Sequence, residues 1–126
     1  RVICIVGDGG IKMTGCELFT VASESLPVIT IIVDNSCLGM VHQLQHLFYE
    51  KRYSATLAPT KVDFVYFAKA FGINAQLATN QQEFTTALAS ALASNEGQVI
   101  VVKTPLEDLV TPMLVPNSSM DMHLDI

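Results

Sequence analysis

The chain has 126 residues, half of them apolar and 15% charged, a balance that excludes a disordered tail and fits one domain or part of one. The net charge of -5 and a pI near 4.9 argue against a nucleic-acid groove, and no apolar run is long enough to span a bilayer. Arg1 leads straight into a strand-like run with no signal peptide, and Cys4, Cys16 and Cys37 form an odd set without a Cys-x-x-Cys pair. A cytoplasmic protein with free thiols is expected, with Cys4 and Cys16 as small apolar fillers.

In chain order, Val2 to Val6 is a β-branched run bounded by Gly7-Asp8-Gly9-Gly10, which predicts a buried strand. Thr14 and Glu17 have capping-box spacing, and Leu18, Val21, Ala22 and Ser25 continue a helical period that Pro27 stops. Val28 to Val33 predicts a second buried strand, closed by Asp34-Asn35-Ser36. A helix is expected over Gly39 to Glu50, with Val41, Leu44 (or Gln45) and Phe48 on one side. Lys51 to Lys61, which includes Pro59, is polar and predicts a loop. Asp63 can cap a helix through Phe64, Phe67, Ala68 and Phe71 that ends at Gly72. Ile73 to Ala78 predicts a third strand. Asn80 and Glu83 make another capping box, opening a helix lined by Phe84, Leu88, Ala91 and Leu92, and Val99 to Lys103 predicts a fourth strand. From Pro105 on, proline and polar residues break any period. Strands alternating with helices predict an α/β fold, a parallel sheet with helices on both faces. The expected division is a partial domain over residues 1–104 and a tail over 105–126. A sheet whose first strand has no lead-in is expected to belong to a truncated domain.

In open parallel sheets, ligands bind beyond the carboxyl ends of the strands. Asp8 follows the first strand and Asn35 the second, so neighbouring strand ends can bring both oxygens to one ion. One carboxylate and one amide make a hard, undercharged donor set that suits Mg²⁺ still needing phosphate and water ligands. Gly7, Gly9 and Gly10 permit close backbone approach and offer N–H groups to a phosphate. Taken singly, Gly-Asp-Gly is often only a turn and Asp-Asn-Ser only a helix cap; the pair at two strand ends favours the metal reading. The dinucleotide fingerprint fails because Lys12 stands at its third glycine, and no phosphate-binding Gly-x-x-x-x-Gly-Lys motif exists. His42, His46 and Glu50 are read as a solvated or loop-facing edge rather than a metal trio, since histidines four apart are common by accident. Lys51 and Arg52 are expected to face water, and Phe64, Phe67 and Phe71 to be core.

Gly7-Asp8-Gly9 followed by Asp34-Asn35 resembles the signature of thiamine-diphosphate enzymes, and Leu38 to Ser54 resembles the corresponding segment of acetohydroxyacid (acetolactate) synthase catalytic subunits. Pro112-Met113 and Val115-Pro116 resemble that family's closing arm. The resemblance implies a thiamine-diphosphate-binding fold, in which Asp8, Asn35 and the Cys37 backbone carbonyl ligate Mg²⁺. Gly7, Gly9 and Gly10 would lie against the diphosphate, Met40 and Val41 beside the cofactor rings, and Gln43 and Leu44 at the substrate pocket. It also implies decarboxylation of pyruvate and ligation of the two-carbon unit to a second 2-oxo acid, pyruvate or 2-oxobutyrate, in branched-chain amino acid biosynthesis. The family assembles as homodimers or homotetramers and can carry a regulatory subunit. Its FAD-carrying middle domain, and the domain whose glutamate reaches the cofactor from a neighbouring subunit, are absent from this sequence. No catalytic residue is therefore assigned here, and the chain alone is expected to be inactive. The family usually has Trp at position 44, an aromatic and Gln at 11 and 12, and Asn at 34, where this chain has Leu44, Ile11, Lys12 and Asp34. Leu44 in place of Trp implies a weaker preference for 2-oxobutyrate. A pyruvate oxidase, a 2-oxo acid decarboxylase or a non-catalytic module of the same fold are the alternatives.

Overall fold

A computed structural model describes residues 1–58, 62–115 and 117–124; Pro59 and Lys61 of the predicted loop and Pro116 of the closing arm lie outside them. Strands β1 (Val2–Gly7), β2 (Val28–Asp34), β3 (Asn74–Ala78) and β4 (Gln98–Lys103) form one parallel sheet in the order β1-β2-β4-β3. Helices α1 (Asp8–Thr14) and α2 (Leu18–Ser23) are joined by a 3-10 turn; α3 (Gly39–Phe48), α4 (Phe64–Ala70) and α5 (Gln81–Ala93) follow. Near the end, β5 (Met113–Leu114) and β6 (His123–Leu124) pair as a short antiparallel ribbon.

The α/β class with helices on both faces is observed. Ile11 of α1, Leu18 of α2 and Phe64 and Ala68 of α4 pack with Ile32, Val99 and Val101 on one face. Ala87 and Ala91 of α5 pack with Ile29, Ile31 and Ile100 on the other. Connection handedness explains the split. The chain passes from β2 beyond the place of β4 to reach β3, then steps back, so a right-handed crossover sends α5 to the opposite face. As expected, Phe64 is core and Phe67 and Phe71 pack against it, edge to face with centroids 5.2 Å apart. Asp63 caps α4 by accepting from the Tyr66 amide at 3.0 Å, and Gly72, at φ +78°, ends it.

Several expectations are corrected. The first helix starts at Asp8, directly from the strand, so Thr14 closes α1 instead of capping a later helix, and its hydroxyl donates back to the Gly10 carbonyl at 3.5 Å. The two glycines do not interrupt α1, because both fall in its first turn, where helical bonding is incomplete anyway. At α5, Asn80 caps Glu83 N at 2.9 Å, but the Glu83 carboxylate accepts from Thr79 N and Oγ1 rather than closing on Asn80. β1 is not buried: Val2 is 61%, Ile3 47% and Ile5 71% exposed. It lies at the sheet edge, and α5 covers β3 and β4 instead. Cys4 is exposed with it and Cys16 is exposed too, so neither fills space; only Cys37 is buried, and all three thiols are free. On α3 the buried residues are His42 and Gln43, whereas Val41 and Phe48 are exposed. No helix among the described residues is long and apolar enough to cross a membrane.

Candidate cofactor-binding cleft

Two adjacent strand ends build the site. Gly7 of β1 lies in register with Val33 of β2, so the residues after each strand emerge side by side. Gly7 is the N-cap of α1 and supplies no side-chain cap, leaving the first-turn N–H groups without helical acceptors. Asp8, 3% exposed, opens this turn. On the neighbouring strand, Asn35 Oδ1 accepts from the Cys37 amide at 3.1 Å, which fixes the Asn35 side chain and bends the chain toward α3.

These ends open onto a cleft of about 730 Å³, larger than neighbouring clefts of about 410 and 380 Å³ and within the usual range for small-molecule sites. Of the sequence-predicted residues, Gly7, Asp8, Gly9, Gly10, Asn35, Cys37, Met40, Val41 and Gln43 all line it. Leu44, half-buried, does not line it. Met40 and Val41 are apolar yet exposed because they face the cleft. The glycines serve packing as well as approach. A Cβ on Gly10 would stand 2.8 Å from Val6 Cγ2, one on Gly9 2.8 Å from Leu38 Cδ2, and one on Gly39 3.1 Å from Asn35 Nδ2.

The donor set is one of hard oxygens. Burial, and after it the nearby Asp8 carboxylate, push the Cys37 thiol up from its ordinary value against a lowering by Thr56. A thiol is a soft group and suits a hard cation poorly; the resemblance is what assigns the Cys37 backbone carbonyl. Asp8 and Asn35 with that carbonyl would make a hard-oxygen donor set of the kind that suits Mg²⁺ with further oxygen ligands. Among the described residues no three His, Cys, Asp or Glu side chains converge where they could hold a metal ion.

Sequence reasoning missed several contributors. Lys12 lines the cleft and places Nζ 3.4 Å from Asp8 Oδ2, one helical turn on; the spacing was visible once α1 was started at Asp8. Leu106, Asp108, Leu109 and Val110 form another wall, from a segment read as tail. The Gln43 amide, assigned to the substrate pocket, is taken up by Val110. His42 and His46 form the loop-facing edge, not the solvated one, of the two that were expected: His42 is 8% exposed and stacks on Tyr53 at 4.3 Å, and Tyr53 Oη is 2.8 Å from His46 Nδ1. They pin the loop after α3 to the helix.

Asp34 turns away from the cleft to an ion pair with Lys103. Burial alone would raise its pKa, but Lys103, together with the Ser36 amide and hydroxyl, holds the carboxyl below its ordinary value. A carboxylate with a depressed folded-state pKa stabilises the fold above its unfolded pKa, about 3.9, and loses that contribution as pH falls through the folded value. Asp34→Asn should therefore cost about 1 kcal/mol at neutral pH, since half-exposed Lys103 can rehydrate, and flatten the acid limb of the stability curve. Urea melts of both proteins between pH 2 and 7 check this; parallel curves would refute it.

A parallel α/β sheet with helices on both faces and a cleft at its strand ends is the arrangement in which open-sheet domains bind their ligands. The sequence profile described as "Thiamine pyrophosphate enzyme, C-terminal TPP binding domain" matches residues 1–103, and the chain belongs to that family. It is 38% identical over 118 residues to the acetolactate synthase isozyme 2 large subunit of Escherichia coli (strain K12), covering 94% of this chain and 22% of that protein. It is 42% identical over 96 residues to a probable acetolactate synthase large subunit of Methanococcus aeolicus, covering 76% and 16%. Among solved structures, the thiamine diphosphate-dependent 4-hydroxybenzoylformate decarboxylase of Rhodococcus jostii RHA1 superposes with a TM-score of 0.78 at 28% identity, over 83% of this chain and 20% of that one. The chain thus spans about a fifth of the length of these relatives.

Proposed function

We propose that this chain is the cofactor-binding part of a thiamine-diphosphate- and Mg²⁺-dependent acetolactate synthase. The carrying observation is the convergence of Asp8, Asn35 and Cys37 with Gly7 to Gly10 on one cleft, in a chain similar over most of its length to acetolactate synthase large subunits. Asp8, Asn35 and the Cys37 carbonyl would hold Mg²⁺, and Mg²⁺ with the free first-turn amides of α1 would hold the diphosphate. Lys12 must release or share Asp8 when the cation arrives. Met40 and Val41 would lie along the cofactor rings and exclude water. Bound thiamine diphosphate supplies an electron sink for decarboxylation of a 2-oxo acid.

Carboligation then needs a second 2-oxo acid, pyruvate or 2-oxobutyrate, and residues beyond this chain. FAD and the cofactor-contacting glutamate belong to domains outside it. The complete protein is proposed as a cytoplasmic homo-oligomer, and the isolated chain as inactive. Feeding pyruvate to the full-length protein tests the assignment: acetolactate is expected, whereas aldehyde or acetyl phosphate would assign it to a decarboxylase or an oxidase.

Leu44 carries the acceptor-preference prediction. One methylene in an apolar pocket is worth about 1–3 kcal/mol, and tryptophan adds far more wall than that. Leu44→Trp in the full-length enzyme should shift the competition between the two acids about tenfold toward 2-oxobutyrate. An unchanged product ratio would place Leu44 in α3 packing alone, in keeping with its position off the cleft.

A further inference from the structure

Gln43 is 1% exposed, and a buried primary amide has donors and an acceptor that must be met. A distant segment meets them. Gln43 Nε2 donates to the Val110 carbonyl at 2.8 Å, the Val110 amide donates to Gln43 Oε1 at 2.8 Å, and Met113 Sδ lies 3.2 Å from Nε2. The side chain thus pairs with the backbone as a neighbouring strand would. The segment it holds has little else. Residues 104–112 form no helix or strand, and among the described residues this pair supplies the hydrogen bonds tying 105–112 to the rest of the chain. Yet Leu106, Asp108, Leu109 and Val110 line the same cleft as Asp8, Met40 and Val41.

We propose that Gln43 is a positioning residue that fastens residues 106–113 to α3 as a wall of the cofactor cleft. Gln43 stands on the same helix as Met40 and Val41, so the wall is registered directly to the surface assigned to the cofactor rings. Length and chemistry both matter. Asparagine is one methylene shorter, and glutamate keeps the acceptor for the Val110 N–H but sets a carboxylate against the Val110 carbonyl. Leucine fills the space and can make neither bond. The fastening stands on geometry alone; the wall's effect on thiamine diphosphate rests on the proposed function.

Hydrogen–deuterium exchange on the full-length protein carrying this chain tests both. In the wild type the Val110 amide should be protected. In Gln43→Glu and Gln43→Leu the 106–113 peptides should exchange at least about tenfold faster, as loss of one or both neutral hydrogen bonds of the pair predicts, while peptides from β2 and β4 stay unchanged. Thiamine diphosphate should dissociate about tenfold faster from both variants, with its Mg²⁺ dependence unaltered. A Val110 amide that exchanges at the unprotected rate in the wild type overturns the proposal without any variant having to fold. Equal 106–113 exchange in all three proteins overturns it as well, and a loosened wall with unchanged cofactor dissociation overturns its role in closing the cleft. A wild type that does not bind thiamine diphosphate refutes the proposed function instead, and the exchange result still decides the fastening.

Discussion

Asp8→Ala in the full-length protein should lower thiamine diphosphate affinity by about two orders of magnitude, close to 3 kcal/mol at 1.4 kcal/mol per decade. Asp8 is the buried carboxylate lining the cleft. Its removal leaves a divalent cation to neutral donors, beside the Lys12 ammonium, with the diphosphate charge poorly compensated. Asn35→Ala should cost less, because a neutral ligand is lost and the Cys37 amide it orients can turn to water. Calorimetric titration with cofactor across a Mg²⁺ series measures both. The Asp8 variant should need far more metal for half-saturation, and an unchanged isotherm would remove Asp8 from the site.

The second large effect is expected at Gly10, through packing. In Gly10→Val the Cβ would start 2.8 Å from Val6 Cγ2, and both β-branched side chains have few rotamers with which to yield. The first turn of α1 must lift from β1, at a cost of about 3 kcal/mol, the upper end for overpacking. Valine's better helix propensity returns only a few tenths of a kcal/mol. The same turn carries Asp8 and the free amides, so cofactor affinity should fall with stability. Thermal melts with and without cofactor separate the two losses. An apo midpoint equal to wild type would show that the strand–helix contact tolerates the added methyls.

Much of this was legible in the sequence, because parallel α/β folds write their plan locally. β-branched runs bounded by Gly, Asp or Pro mark three of the strands, the alternating Ile73 to Ala78 after Gly72 marks the other, and Asp63 and Asn80 mark two helix starts. The strand-end rule points to Asp8 and Asn35, which the structure brings to one cleft. What failed was set by tertiary context. β1 has the composition of a buried strand, but burial depends on what lies beside it, and composition does not record that. The inward face of α3 is polar because His42 stacks on a loop tyrosine and Gln43 pairs with a backbone 67 positions away; hydrophobic periodicity is blind to both. The cleft wall at 106–110 has no period at all, so only the buried amide it satisfies reveals its place.

The strand order carries a consequence for how the domain comes into being. β4, the last of the four in the chain, lies between β2 and β3. Until it arrives, β3 has no partner and β2 has an open side, so a growing polypeptide emerging from the ribosome holds two unjoined pieces. The nucleus must wait for long-range closure, which slows folding and prolongs exposure of sticky edges. Nascent chains cut short before Gln98 should engage chaperones, and those that include Lys103 should escape them.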